Sequence, residues 1–170
     1  MKPMLELIRA ASGCKRADLE GKLIARAEVC IRGKEKDVPA FIEVSRPRLA
    51  VVNARGMNNS MSLFLMPAGN GEASGSSPIP DGCEELFITR EELEEYLLLS
   101  GDTNPIHTGK HPVIPGLLIL MRVVGCGRMD ICARFYAPAY IGERLFIKRE
   151  EDFTSVYGTR GEIIKITGEY

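Results

Sequence analysis

The sequence has no long apolar run, no paired cysteine motif and no excess of charge, and each absence argues against a class of protein. No stretch of eighteen apolar residues occurs, so no helix is predicted to span a membrane. The 22 Lys and Arg and 23 Asp and Glu are interspersed, which argues against a nucleic-acid-binding face. The five cysteines are odd in number and form no C-x-x-C, which argues against a disulfide framework and a cysteine zinc site. We expect a cytoplasmic protein that binds no nucleic acid, no membrane and no metal.

The N-terminal stretch predicts a short helix rather than a targeting signal. Its apolar residues recur at helical spacing from Pro3 to Ala11, and Gly13 is suited to end the helix. Glu6 and Arg9 interrupt what would be the apolar core of a signal peptide. The chain of 170 residues is long enough for one domain with an extension.

The residues after this helix predict β-structure. Three runs carry β-branched or aromatic residues, namely Lys22–Arg32, Val38–Ala54 and Ser60–Met66. Pro47 lies inside the longest run, so we expect that run to bend or split there. We therefore assign residues 1–67 to an N-terminal helix plus β-rich extension. The Gly-, Ser- and Pro-rich residues 68–82 follow as a flexible linker.

The second half, residues 83–170, predicts helices followed by antiparallel strands. Thr89 and Glu92 form a capping box for a helix that runs to Ser100 and ends at Gly101. A second helix, Pro115 to Val124, is apolar on almost all sides. The strand-like runs that follow are Met129–Tyr136, Arg144–Phe153 and Glu162–Tyr170. A curved antiparallel sheet wrapped around a central helix is the simplest α+β arrangement that buries the apolar helix.

The loop between these helices carries the candidate chemistry. Asp102 and His107 lie five residues apart, and Pro105 restricts Asn104 to extended conformations. A carboxylate beside an imidazole can move protons and hold a water. Gly116 begins the apolar helix, where an unhindered N–H could polarise a carbonyl oxygen. The alternatives are a turn-forming aspartate, a loop histidine bonded to backbone, and a glycine that serves close helix packing.

Three blocks of the second half resemble MaoC-like hotdog domains, which include the (R)-specific enoyl-CoA hydratases. The stretch FITREELEEYLLLSGDTNPIH, Phe87 to His107, matches that family's S-G-D-x-N-P-[LI]-H motif. IPGLLIL, Ile114 to Leu120, is similar to the start of its central helix, and RFYAPAYIGERL, Arg134 to Leu145, to its strand turn. The resemblance implies a hotdog fold for residues 83–170. Residues 1–67 resemble the strand half of a second, degenerate hotdog.

The resemblance also implies a reaction. It implies that Asp102 and His107 are the acid/base pair that adds water to, or removes it from, a trans-2-enoyl thioester. Asn104 would support the pair in binding substrate, and the Gly116 N–H would bind the thioester oxygen. It further implies a homodimer and an acyl group carried by coenzyme A or an acyl carrier protein, with no separate cofactor.

Two other functions remain open at this point. The first is an acyl-thioester hydrolase on the same fold. The second is a non-catalytic acyl-thioester-binding or assembly subunit. The segment between His107 and the apolar helix, Thr108–Val113, is shorter than in the resembling family and favours the non-catalytic subunit. A substrate-sized pocket that holds both Asp102 and His107 would favour an enzyme.

Overall fold

The computed structural model describes residues 3–14, 19, 22–34, 38–67, 79–125 and 127–170. Within these residues, three α-helices and nine β-strands are formed. The helices are α1 (Pro3–Ser12), α2 (Arg90–Ser100) and α3 (Gly116–Val124). The strands are β1 (Lys22–Ile31), β2 (Ala40–Arg46), β3 (Leu49–Arg55), β4 (Asn59–Pro67), β5 (Glu84–Leu86), β6 (Met129–Phe135), β7 (Leu145–Arg149), β8 (Phe153–Gly158) and β9 (Gly161–Glu169).

Local sequence signals explain the ends of α2. The Thr89 hydroxyl accepts a hydrogen bond from the Glu92 N–H at 3.2 Å, and the Glu92 carboxylate accepts one from the Thr89 N–H at 2.9 Å. This is the predicted capping box. The helix ends at Gly101, whose φ of 69° is left-handed and therefore favours glycine. The Asp102 loop thus starts from a fixed direction.

The strands form one antiparallel sheet in the order β2-β3-β4-β1-β6-β9-β8-β7-β5. The first four positions come from residues 1–67 and the other five from residues 83–170. Strands β1 and β6 join the two sets, with Ala27 opposite Ala133, and neither alanine is exposed. Because the sheet continues across this pair, the N-terminal strands and the C-terminal strands share one hydrogen-bonded surface.

The helices lie in one hydrophobic cluster with both sets of strands. Helix α1 packs against β2, β3, β4 and α2. Helix α3 is buried along almost its whole length, and Arg122 is its exposed residue. The predicted burial of an apolar helix is therefore confirmed. Since no helix in the described ranges is long and apolar enough, none of them could cross a bilayer.

Two strand predictions need correction. The run Arg144–Phe153 is not one strand, because Glu150 turns the chain by donating its N–H to the Phe153 carbonyl at 2.8 Å. Strand β8 starts at Phe153 and was not predicted as a separate strand. Strand β5 was also missed, since it has three residues, two of them glutamates, and among the described strands it pairs only with β7. The predicted split at Pro47 is confirmed. Most of the predicted linker, residues 68–78, lies outside the described residues.

Candidate active site

A cleft of about 1140 Å³ lies between the two halves of the chain. One wall comes from α1, β1 and β4. The other comes from the loop after α2, the start of α3 and the loop after β6. Most lining side chains are apolar, and Asp102, Asn104, His107 and Gly116 all line the cleft. Ligand sites usually enclose about 300–1,000 Å³, so the cleft is large enough for an acyl thioester.

The loop after α2 fixes the Asp102 carboxylate through backbone contacts. The Asp102 Oδ1 accepts a hydrogen bond from the Asn104 N–H at 3.0 Å. The Asp102 N–H donates to the Ser100 hydroxyl at 3.2 Å. A short 3₁₀ helix, Pro105–His107, follows, and its first residue is the proline whose fixed φ suits a helix start. The loop therefore turns both Asp102 and His107 towards the cleft.

His107 is buried and held in one orientation. Its side chain is 8% exposed, and its Nδ1 lies 2.7 Å from the Val113 carbonyl oxygen. Because a carbonyl oxygen only accepts, Nδ1 carries the proton and donates it to this bond. In the neutral form of a ring that donates from Nδ1, the other nitrogen, Nε2, presents a lone pair. The short segment Thr108–Val113 brings the Val113 carbonyl to the ring.

The Asp102 carboxylate and the His107 ring converge on one point. The distance from Nε2 to the Asp102 Oδ2 is 3.5 Å, longer than a normal hydrogen bond. With neutral histidine and ionised aspartate, both atoms are acceptors. A water, which has two hydrogens to donate, can satisfy both at once. The geometry therefore suits a pair that binds a water and takes its proton.

The Asn104 side chain ties the loop to the N-terminal half. Its Nδ2 donates to the Lys22 carbonyl oxygen at 3.3 Å, and its Oδ1 accepts from the Ile106 N–H at 3.4 Å. Lys22 begins β1, so this contact crosses the cleft from one half to the other. Asn104 thus positions the loop that carries Asp102 and His107, and its contact with substrate stays a prediction.

Gly116 lies where α3 begins and lines the cleft. Its N–H donates to no acceptor among the described residues. A Cβ at this position would lie 2.6 Å from the Phe135 ring, so close packing requires glycine here. The packing alternative is therefore supported, and it is compatible with an N–H left available to a ligand. The oxyanion role stays a prediction.

Tyr96, a residue of α2, also lines the cleft and was not among the predicted site residues. Its side chain is 4% exposed, and its hydroxyl has no hydrogen-bond partner among the described residues. Burial, and secondly the Asp102 carboxylate, raise the pKa of this phenol well above its ordinary value of 10.0. The nearby Ser100 hydroxyl opposes the shift least of the three causes, because it is directed to the Leu97 carbonyl oxygen, and it leaves the phenol unpaired. Tyr96 therefore stays neutral beside Asp102. His111, the other histidine, is exposed and does not line the cleft.

Replacing Tyr96 with phenylalanine is expected to stabilise the protein. An unpaired buried hydroxyl costs about 1–3 kcal/mol, so Tyr96→Phe should raise the free energy of unfolding by about 1 kcal/mol at pH 8. Because the folded-state pKa is raised, the titration of Tyr96 leaves the free energy of unfolding unchanged below about pH 10 and lowers it as the pH rises above that value, since the unfolded chain loses the phenol proton more readily. Urea unfolding at pH 8 and pH 10.5 should show a smaller alkaline loss for Tyr96→Phe than for wild type. The matched control is Tyr136→Phe, since Tyr136 is 53% exposed. Equal alkaline losses in all three proteins would contradict the prediction.

Neither the protein-family models nor the curated proteins gave a match to the sequence. Solved structures do match: HtdX from Mycobacterium tuberculosis aligns with a TM-score of 0.59 over 98% of this chain and 94% of its own, at 14% identity. A MaoC-like dehydratase aligns with a TM-score of 0.59 over 96% of this chain and 82% of its own, at 12% identity. The chain has a hotdog fold.

A third solved structure extends this hotdog comparison to another activity. An acyl-ACP thioesterase from Bacteroides thetaiotaomicron aligns with a TM-score of 0.55, covering 86% of this chain and 75% of its own, at 8% identity. The predicted hotdog fold is therefore confirmed, with α3 as its central helix. At these identities the comparisons establish the fold alone, and they place dehydratases and thioesterases on the same architecture.

Proposed function

We propose that the protein is a hydro-lyase of the MaoC-like type, acting on trans-2-enoyl thioesters of coenzyme A or an acyl carrier protein. The observation that carries the proposal is the convergence of Asp102 and His107 in a cleft large enough for an acyl thioester. The His107 Nε2 and the Asp102 Oδ2 lie 3.5 Å apart there. A filled or collapsed cleft would have favoured the non-catalytic subunit. The open cleft favours an enzyme.

The proposed reaction starts from a water held by two acceptors, the Asp102 carboxylate and the His107 Nε2. Asp102 and His107 bind a water between them, and its oxygen adds to C3 of the enoyl group while one of the pair accepts its proton. The π electrons of the C2–C3 bond move towards the thioester carbonyl, which gains enolate character. A proton returns from the pair to C2, so the net result is a C–O bond, a C–H bond and the loss of the double bond. The Gly116 N–H, at the N-terminus of α3, is suited to stabilise the enolate oxygen.

A thioester hydrolase is the second candidate, since an acyl-ACP thioesterase shares the fold. The same bound water would then attack the thioester carbonyl carbon and release the thiol. A covalent cysteine route is less suited to this cleft. Burial raises the pKa of the Cys14 thiol that lines it, and a protonated thiol is a poor nucleophile.

Incubation of the wild-type protein with crotonyl-CoA distinguishes the hydro-lyase, the hydrolase and the non-catalytic subunit. We expect the enoyl-thioester absorbance to fall while no free thiol appears. Thiol released in proportion to the substrate consumed would replace the hydro-lyase with the hydrolase. If neither absorbance loss nor thiol release occurs with short and long enoyl chains on both carriers, the result favours the non-catalytic thioester-binding subunit.

The N-terminal half has a defined place in this proposal. Residues of α1, β1 and β4 supply one wall of the cleft, and β1 extends the sheet that contains β6. The described cleft therefore draws both walls from a single chain. The homodimer implied by the family resemblance stays a prediction, to be tested by measuring the mass of the protein in solution.

A further inference from the structure

The described lining of the cleft carries more basic than acidic side chains. Asp102 supplies its one carboxylate, while Lys22 and Arg160 supply an amine and a guanidinium. The Lys22 side-chain nitrogen donates to the Pro47 carbonyl oxygen at 2.9 Å, and the residue is 9% exposed. Arg160 is exposed, so its charge is the one that an incoming ligand can meet.

Arg160 is held in place without a carboxylate partner. Its guanidinium lies over the Tyr140 ring, 4.9 Å from the centroid, and one Nη donates to the Pro138 carbonyl oxygen at 3.0 Å. No carboxylate of the described residues lies within ion-pair distance of it. A stacked guanidinium has lost part of its freedom already, and its unused N–H groups form a planar fork.

The nearby acid, Glu143, is occupied elsewhere. Its Oε1 accepts from the Thr159 N–H at 3.0 Å and from the Thr159 hydroxyl at 2.9 Å. Its Oε2 accepts from the Tyr140 N–H at 3.1 Å. Glu143 therefore braces the loop after β6 against the β8–β9 turn, the two segments that hold the Arg160 guanidinium in place.

Arg160 belongs to the same wall as His107. Tyr140, under the guanidinium, forms a β-bridge with Val113. The Val113 carbonyl oxygen accepts the hydrogen bond from the His107 Nδ1. A ligand that reaches His107 along this wall passes a fixed cation that lacks a counter-ion in the described part of the chain.

We propose that Arg160 is an oxyanion-binding residue that recognises a phosphate or a carboxylate on the thioester ligand. The inference rests on the proposed function for the identity of the ligand as a thioester. A guanidinium fork matches two oxygens of either group, which makes it selective for anionic over neutral ligands. The phosphate would come from the carrier arm and the carboxylate from the acyl group. The two sources make the same contact and are separated by experiment.

Binding of saturated thioesters tests the site without requiring turnover. Calorimetry would compare butyryl-CoA, which carries phosphates, glutaryl-pantetheine, which carries an acyl carboxylate, and butyryl-pantetheine, which carries neither. We expect wild type to bind one of the two anionic ligands about tenfold more tightly than butyryl-pantetheine, a modest factor because Arg160 is exposed to solvent and salt. Arg160→Gln should remove this preference, and Arg160→Lys should retain part of it.

The control is Arg128→Gln, which removes an exposed arginine outside the cleft and should leave all three affinities unchanged. Preference for butyryl-CoA assigns the site to a carrier phosphate, and preference for glutaryl-pantetheine assigns it to an acyl carboxylate. Equal affinities in wild type, no binding of any ligand, or an Arg160→Gln loss that is equal for all three would overturn the inference. Arg160-dependent binding without hydration of crotonyl-CoA would instead refute the proposed lyase and leave the anion site standing.

Discussion

Asp102→Asn and His107→Ala are each expected to lower the hydration rate of crotonyl-CoA by about two to four orders of magnitude. A positioned proton-transfer group contributes roughly this much to a rate. Asparagine keeps the shape of Asp102, and its amide can still accept from the Asn104 N–H through its oxygen. It lacks the basicity to take a proton from water. Alanine at position 107 removes the lone pair that faces the Asp102 Oδ2. The measurement is kcat/KM from the loss of enoyl absorbance.

The double variant distinguishes a shared water from two independent effects. If Asp102 and His107 hold the same water, removing both should cost about as much as the worse single variant, because residues that act as a unit are strongly non-additive. Losses that multiply would show that the two groups act on separate steps or separate atoms.

Controls for this pair come from the same residue types elsewhere in the chain. His111→Ala changes the other histidine of the loop, which is exposed and outside the cleft. Asp152→Asn changes an exposed aspartate in the turn between β7 and β8. Both should keep wild-type rates. An unfolding midpoint near that of wild type must accompany each loss, since His107→Ala leaves the half-buried Val113 carbonyl without its donor.

Local features of the fold could be predicted because their causes lie within a few residues. The capping box of Thr89 and Glu92, the left-handed Gly101 and the split at Pro47 each depend on neighbouring side chains or on one backbone angle. The charged turn before β8 contains no glycine or proline, so its turn signal was missed. These outcomes show that turn chemistry, more than hydrophobic periodicity, limited the strand assignments.

Features that depend on long-range pairing could not be predicted in the same way. The pairing of Ala27 with Ala133 joins strands about a hundred residues apart, and alternation in either strand does not choose its partner. One wall of the cleft follows from this pairing. The family resemblance implied that Asp102 and His107 work as a pair, and both line the cleft, but it did not indicate that the Val113 carbonyl fixes the His107 ring. A backbone acceptor leaves no residue-type signal.

The Gly116 N–H can be tested separately from the packing of Gly116 against Phe135. Gly116→Ala alone should be strongly destabilising, by about 1–3 kcal/mol from overpacking, because its Cβ would lie 2.6 Å from the Phe135 ring. Phe135→Val removes the δ and ε carbons that the new Cβ would meet and should relieve the collision. In the Phe135→Val background, Gly116→Ala keeps the N–H, and Gly116→Pro removes it. Proline is favoured at a first helical position, and Pro115 already has the extended conformation, ψ 126°, that a following proline requires.

The comparison of these two double variants isolates one hydrogen-bond donor. If the Gly116 N–H stabilises the enolate oxygen, Gly116→Pro should lower kcat by about 10²–10³ relative to Gly116→Ala in the same background, the usual cost of losing an oxyanion donor. The KM should change much less, because the donor acts mainly on charge that develops in the transition state. Equal kcat values for the two folded double variants would show that Gly116 serves packing alone. The oxyanion donor would then have to be sought at another group that lines the cleft.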